Sequence, residues 1–163
     1  MKQLFLIILI SLSAFSEQIT GFWKSYNEKT KQPEIMVAIY LYKDKYYGRI
    51  VAIYDKSGKI RETIYKPVDR TEGIIGHPYY CGLELIYDLK NKGNVYKGKI
   101  LDPEKGNLYN AEVWRKEENL IVRGKLLFFG RNLTWRPVKE EEFSFMFPKP
   151  DVTQFVPVIP KTL

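Results

Sequence analysis

Apolar and polar side chains alternate along the segment that begins at Glu34. Every second residue from Ile35 to Leu41 is aliphatic, and the residues between them form a mixed, amphipathic set. Successive side chains of a β-strand point to opposite faces, so a period of two places the aliphatic set on one face. The segment therefore predicts a strand with one buried face.

Aromatic and β-branched residues recur in short runs along most of the chain. The sequence contains 12 Tyr, 9 Phe and 3 Trp in 163 residues, and these residue types favour strands over helices. Gly, Pro, Asn and Asp between the runs favour tight turns. The predicted strands are residues 21–26, a strand from Glu34, and residues 46–54, 85–90, 95–101, 108–115, 120–128 and 131–136.

This spacing predicts an all-β meander, and we expect an antiparallel up-and-down barrel of about eight strands. Eight is the number at which a closed barrel has room for its own side chains or for one small ligand. An open sandwich is the competing architecture.

Two segments do not fit the meander. Residues 56–82 form a long connection with several Gly and Pro residues, and connections of that length are often functional loops. Residues 138–163 are rich in proline, which predicts an extended tail that is either packed on the barrel or free. The predicted domain organisation is therefore a barrel at residues 17–137 and a C-terminal extension at 138–163.

The first residues have the order of a signal peptide. Lys2 is followed by an apolar block at residues 4–12, and the small residues Ala14 and Ser16 precede a polar segment. This order predicts a signal peptide at residues 1–16 that is cleaved after Ser16, and hence a periplasmic or secreted protein. No later apolar run is long enough to span a membrane.

Charge and motifs exclude several function classes. The formal net charge is +7, but basic residues alternate with acidic ones, which indicates solubility rather than a nucleic-acid surface. No nucleophilic-serine turn, phosphate-binding loop or dinucleotide-binding motif is present. We therefore predict no cofactor, no nucleic-acid partner and no enzymatic activity.

The pattern Tyr-x-Gly-basic-Ile occurs twice in the chain, with its glycine at Gly48 and at Gly98. A duplication would explain this weak internal repeat. We favour a steric explanation, in which strongly curved strands have no room for a side chain at such positions.

A set of motifs in fixed order resembles the bacterial family known as domain of unknown function 2147. The match spans residues 21–136, and the resemblance implies an exported, lipocalin-like barrel with no established activity. The motifs are Gly21-Phe22-Trp23, Gly48-Arg49-Ile50, Gly82-Leu83, the segment from Gly98 to Tyr109, Leu120-Ile121-Val122-Arg123-Gly124 and Gly130-Arg131-Asn132-Leu133-Thr134-Trp135-Arg136.

In lipocalin-like barrels a tryptophan of the first strand packs under an arginine of the last. Trp23 and Arg136 are the corresponding residues here. A guanidinium over an indole ring contributes about 0.5–2 kcal/mol, so we expect this pair to close one end of the barrel.

The segment Asp102-Pro103-x-x-Gly106 is predicted to be a turn, because Asp before Pro begins a turn and Gly tolerates positive φ. Tyr109 follows it with a hydroxyl that can reach the loop. A catalytic role for Asp102 lacks a partner acid or base.

Arg123 and Arg131 are candidates for holding a carboxylate or phosphate, with Tyr109 as a third candidate ligand contact. Strand alternation places Arg123 on the outer face, and the pair forms a site only if Arg131 lies near it. Two solvated surface arginines are the competing interpretation.

His77 and Cys81 are the single histidine and the single cysteine. A Cys-His nucleophile is conceivable, but Pro78 separates them and no third residue is evident to orient the base. One His and one Cys cannot supply a zinc site, and one Cys forms no internal disulfide.

These observations predict an envelope protein without enzymatic activity whose barrel binds a small apolar or amphipathic molecule. The alternative is a structural or interaction module that contacts an envelope protein or lipid through residues 56–82 and the C-terminal tail.

Overall fold

A computed structural model describes residues 18–126 and 129–163. It contains no α-helix in these two ranges, and hence no helix that is long and apolar enough to cross a membrane. The predicted signal peptide, its cleavage site, and the end of one predicted strand at residues 127–128 lie outside the described residues. The nine strands are β1 (Gly21–Tyr26), β2 (Pro33–Tyr42), β3 (Lys45–Tyr54), β4 (Ile60–Thr63), β5 (Glu84–Asn91), β6 (Tyr96–Asp102), β7 (Asn107–Lys116), β8 (Asn119–Leu126) and β9 (Phe129–Pro137).

Eight of the strands form a closed antiparallel barrel. Neighbouring strands follow the order β2-β1-β9-β8-β7-β6-β5-β3, and β3 pairs again with β2. The prediction of an up-and-down barrel is confirmed, and the chain does not form the open sandwich.

The predicted long connection contains the short strand β4. It pairs with the second half of β3, opposite Ala52–Tyr54, whereas β5 pairs with the first half, opposite Tyr46–Arg49. The two strands thus share one edge of β3, and β5 leaves that edge where β4 begins. This change of partner lies at the end of the barrel that also contains the start of β2 and the end of β6. We call this end the mouth.

The opposite end is closed by packed side chains. Trp23 is 3% exposed, and its indole nitrogen donates to the Ile19 carbonyl at 3.0 Å. The guanidinium carbon of Arg115, on β7, lies 5.1 Å from the centre of the Trp23 ring. Arg115 also donates to the carbonyls of Gln18 and Glu117, which ties three segments together at this closed end.

The prediction that Arg136 covers Trp23 is therefore wrong. Arg136 pairs in register with Lys24, and its guanidinium carbon lies 4.9 Å from the Tyr26 ring centre. Strand alternation explains the difference, because Trp135 occupies the inward position next to it and is 2% exposed. Two adjacent residues of a strand cannot both face the interior.

The two glycines of the repeated pattern, Gly48 and Gly98, lie where a side chain has little or no room. A Cβ on Gly98 would lie 2.7 Å from the Tyr87 carbonyl oxygen, because β5 bulges toward β6 at Asp88. A Cβ on Gly48 would lie 3.2 Å from side-chain carbons of Ile86 and Val37. Both positions reflect the close approach of neighbouring strands or side chains.

The C-terminal tail packs on the outer wall of the barrel. Phe147 is 3% exposed and belongs to a cluster with Met36, Ala38 and Val51, which lie on the outer face of β2 and β3. Farther along, the Ile74 and Thr162 backbones form a bridge. The tail therefore covers the outer face of β2, so that both apolar faces of this strand are buried.

A buried ion pair holds the middle of the tail. The Arg49 Nε donates to the Glu84 Oε1 at 2.6 Å, and Glu84 is 1% exposed. The Arg49 guanidinium lies 4.2 Å from the Phe155 ring centre and donates to the Val156 carbonyl at 2.8 Å, while the Val158 amide donates to Glu84 at 3.1 Å. Both members of the pair therefore bind the tail directly.

Candidate functional site

The interior of the barrel is not filled at the mouth. Four inward-facing side chains there are only partly buried, whereas Leu89 and Leu120 toward the closed end are 0% exposed. The four contribute apolar wall to a cavity system that opens at the mouth, whose main part has a volume of about 1390 Å³. They are Ile35, Ile53, Ile100 and Leu133.

A second opening lies along the seam between β1 and β9. These strands pair only at Trp23–Pro137 and Lys24–Arg136. Beyond that point they separate, and a pocket of about 450 Å³ reaches Ser25 and Trp135. It shares Ile35, Leu85 and Leu133 with the main cavity, so the two volumes are parts of one site.

Trp135 gives the inner end of this site an unused donor. The side chain is 2% exposed, and its indole nitrogen has no hydrogen-bond partner among the described residues. A buried N–H group without a partner costs about 1–3 kcal/mol relative to a bonded one. Ser25, which is 8% exposed, lines the same pocket.

The connection at residues 56–82 supplies much of the mouth. The buried carboxylate of Glu62 accepts hydrogen bonds from the amides of Val68 and Asp69 at 2.7 and 3.1 Å, and from Arg61 at 2.9 Å. Arg61 also pairs with the Asp69 carboxylate. These bonds hold the residues that follow β4 against that strand, so that side chains of the connection line the cavity in fixed positions.

The same connection contacts the turn after β6. The Gly73 amide donates to the Pro103 carbonyl at 3.2 Å, and a Cβ on Gly73 would lie 2.2 Å from the Gly106 nitrogen. Asp102 accepts from the amides of Glu104 and Lys105 at 3.1 and 3.2 Å, and Gly106 has a φ of 70°. The Asp102-Pro103 segment is therefore a turn that forms part of the mouth.

Acidic side chains surround Tyr80 at the mouth. Burial raises the pKa of the Tyr80 hydroxyl, and the negative charges of Glu104, Glu72 and Asp102 raise it further. Within residues 18–126 and 129–163, no group of three His, Cys, Asp or Glu side chains is placed to hold a metal ion. The carboxylates line an opening instead of converging on one point.

Arg123 and Arg131 do not form a common site. Arg123 lies opposite Glu112 on the outer face, where Lys125 also pairs with Glu112 at 2.6 Å. Arg131 lies on the other face of the sheet, which it shares with Leu133, and it pairs with Glu28 of the β1–β2 loop. Tyr109 follows the mouth turn on β7 and is half-buried. A ligand role for these three residues stays a prediction.

His77 and Cys81 lie in different environments. The His77 ring nitrogen Nδ1 lies 2.8 Å from the Thr71 carbonyl oxygen, in an exposed loop. Cys81 is 5% exposed and packs in the barrel core, and burial raises the pKa of its thiol to about 12. A nucleophilic cysteine requires a lowered pKa, so the environment of Cys81 opposes that role.

Sequence reasoning missed the residues that line the mouth, such as Arg61, Asp69, Glu72 and Tyr80. The available signal was the length of the connection at residues 56–82, which indicated a functional loop without identifying the side chains that face the cavity.

Comparisons with known proteins agree with this architecture. The family model of DUF2147, described as an uncharacterized protein conserved in bacteria, matches residues 21–136. The chain is also similar to protein HP1028 from Helicobacter pylori, a solved structure whose description assigns it to the lipocalin family. The TM-score is 0.60 and the identity 18%, with 77% of this chain and 86% of HP1028 covered. No curated protein matches the chain.

Proposed function

We propose, from the premise that this chain belongs to the DUF2147 family, that it binds a small apolar or amphipathic molecule inside its barrel. One observation carries the proposal: inward-facing aliphatic side chains at the mouth remain partly exposed to a cavity. A self-filled barrel would bury them as it buries Leu89 and Leu120, which are both 0% exposed. The lipocalin-like fold is consistent with this function.

The dimensions of the site support a ligand of modest size. Small-molecule sites in proteins typically enclose about 300–1,000 Å³ and have mostly apolar walls with a few polar groups. The seam pocket of about 450 Å³ falls in that range, and the main cavity is larger because it includes the open mouth. Trp135 and Ser25 supply polar groups at the inner end.

Titration with the neutral fluorophore N-phenyl-1-naphthylamine tests the proposal. We expect saturable binding of one molecule per chain, and weaker binding by Leu133→Trp, which places an indole ring where the seam pocket joins the main cavity. Leu41→Trp is the matched control, since Leu41 is 54% exposed and lies toward the closed end. Absence of saturable binding, or equal binding by both variants, would contradict a ligand site in the barrel.

We propose in addition that the protein is exported, with residues 1–16 removed. The order of a basic residue, an apolar block and small residues supports this. Mass spectrometry of the protein purified from its native cells should give a chain that begins at Glu17. A chain that retains Met1 would refute the proposal.

The second candidate function is that of an interaction module. The tail is packed on its own barrel, but Phe145 is 96% exposed and the adjacent Met146 is 70% exposed. Exposed aromatic and methionine side chains are frequent at protein interfaces. Phe145→Ser/Met146→Ser should abolish association with an envelope component without releasing the tail. Retained association would exclude this pair as the contact.

A further inference from the structure

We propose that the ligand is a cationic amphiphile, with an apolar body inside the barrel and an ammonium or guanidinium group at the mouth. The proposal rests on the proposed function and specifies the chemical class of molecule that the site accepts. It follows from the sign of charge at the opening of an apolar cavity and from the aromatic ring among those charges.

The lining of the main cavity is acidic although the chain is basic. Six carboxylates and three basic side chains line it, which gives a local charge of −3, whereas the whole chain has a net charge of +7. A cleft lined by one sign of charge attracts ligands of the opposite sign. The six carboxylates belong to Glu34, Asp55, Asp69, Glu72, Asp102 and Glu104.

Two of the three basic groups are engaged with the protein itself. Arg61 pairs with Glu62 and Asp69. The Arg70 guanidinium carbon lies 3.9 Å from the Tyr79 ring centre, and the group donates to the His77 carbonyl. These contacts occupy the guanidinium groups that would otherwise hold an anionic ligand.

Glu72 and Glu104 are the carboxylates best placed to meet a cation. Both are exposed at the opening, and neither takes part in an ion pair among the described residues. Tyr80 lines the same cavity and interacts electrostatically with both. An aromatic ring next to carboxylates is favourable for an organic cation, because the ring face also attracts positive charge.

Trp135 provides an independent indication of a ligand in the same cavity system. Its unpartnered indole nitrogen belongs to a side chain that is 98% buried and lines the seam pocket. The seam pocket joins the main cavity through Glu34, Ile35 and Leu133. The wall of the seam pocket thus contains a buried polar group without a partner among the described residues, in the same cavity system as the acidic mouth.

Three ten-carbon probes distinguish the charge preference from binding itself. Decyltrimethylammonium, decyl sulfate and decanol should each displace N-phenyl-1-naphthylamine, the two ionic probes below their micellar concentrations and decanol below its solubility limit. We expect the cation to bind about five- to tenfold more tightly than decanol in 20 mM NaCl, and the sulfate more weakly than decanol. In 300 mM NaCl the preference should shrink, because the Debye length falls to about 6 Å.

Charge-neutralising variants locate the preference at the mouth. Glu72→Gln/Glu104→Gln should lower the ratio of cation to decanol affinity by about three- to fivefold. Glu118→Gln/Glu141→Gln is the matched control, because it changes the net charge equally at exposed sites outside the cavity lining. The control should keep the ratio of the unmodified protein.

The outcomes separate this inference from the function on which it depends. Equal binding of the three probes, tighter binding of decyl sulfate, or an equal loss of preference in the control variant would overturn the cationic class while barrel binding stands. Failure of all three probes to displace the fluorophore, or absence of fluorophore binding, would overturn both.

Discussion

The closed end and the mouth of the barrel both have aliphatic side chains that face inward, but the two ends bury these side chains to different extents. At the closed end, four aliphatic residues are at most 1% exposed: Ile39, Leu89, Val113 and Leu120. At the mouth, Ile35, Ile53, Ile100 and Leu133 are only partly buried and border a cavity. Residue type therefore does not distinguish a filled interior from an empty one.

The connections explain the difference. At the closed end, β2 joins β3 through Lys43-Asp44, and β7 joins β8 through Glu117-Glu118. Such tight turns bring neighbouring strands together, and the bulky residues Trp23 and Arg115 fill the space between them. At the mouth, the connections that lead into β2 and β5, residues 27–32 and 64–83, are longer, and β1 separates from β9. Stability is therefore expected to depend mainly on one end, and ligand binding on the other.

The largest expected effect is at the closed end. Trp23→Ala removes a buried ring that packs under Arg115 and bonds to Ile19. We expect the free energy of unfolding to fall by about 3–5 kcal/mol, as is typical when a buried aromatic residue is truncated. Urea unfolding followed by circular dichroism measures it. A loss below 1 kcal/mol would show that this end does not stabilise the barrel.

A matched pair of truncations compares the two ends directly. Leu89→Ala deletes a fully buried side chain and should cost about 2–5 kcal/mol, whereas Ile53→Ala at the mouth should cost about half as much or less, because its side chain already borders a cavity. The same unfolding experiment measures both. Equal losses would mean that the mouth is packed as tightly as the closed end.

A backbone contact tests the rigidity of the mouth. Gly73→Ala would force a Cβ to within 2.2 Å of the Gly106 nitrogen, so the two loops must separate. We expect a loss of about 1–3 kcal/mol from this overpacking, together with weaker binding of N-phenyl-1-naphthylamine. Gly76→Ala is a useful control, since Gly76 has open space around it but also a positive φ of 83°. Gly76→Ala should strain the backbone at residue 76 without separating the connection at residues 56–82 from the turn after β6.

Cys81 lies in the connection at residues 56–82, which lines the mouth, but its side chain is buried in the barrel core like those at the closed end. Because burial raises the pKa of its thiol to about 12, the folded protein at pH 8 holds far less thiolate than the unfolded chain. Alkylation by iodoacetamide should therefore be far slower in the native state. His77→Ala should not change the rate, and a marked decrease would revive the Cys-His hypothesis.

The same thiol predicts a direction for the pH dependence of stability. Between about pH 9 and pH 12 the unfolded chain releases the Cys81 proton while the folded protein keeps it. The free energy of unfolding should therefore fall as the pH rises through this range, and the stabilising contribution is complete below pH 9. Cys81→Ala should show a shallower fall. An identical slope in both proteins would exclude this contribution. At neutral pH no effect of this titration is expected.

Local pattern was sufficient for most strands and insufficient for the site. The predicted strand at residues 46–54 corresponds to Lys45–Tyr54, and the predicted strand at 108–115 to Asn107–Lys116. β4 was missed, because four residues within a Gly- and Pro-rich connection show too little alternation to be recognised. The arginine over Trp23 was assigned to Arg136 by resemblance, and the structure shows Arg115 in that place.

The sequence by itself determined eight of the nine strands and their antiparallel order along the chain, because these depend on alternation and turn-forming residues that act over a few positions. The tertiary structure alone decided that the sheet closes into a barrel, which side chains meet across it, where the interior stays empty and which charges line its opening. Glu72 and Glu104 are distant in the chain and become neighbours of Tyr80 only when the long connection packs against the turn after β6. Such contacts depend on the placement of whole loops, which no local pattern encodes.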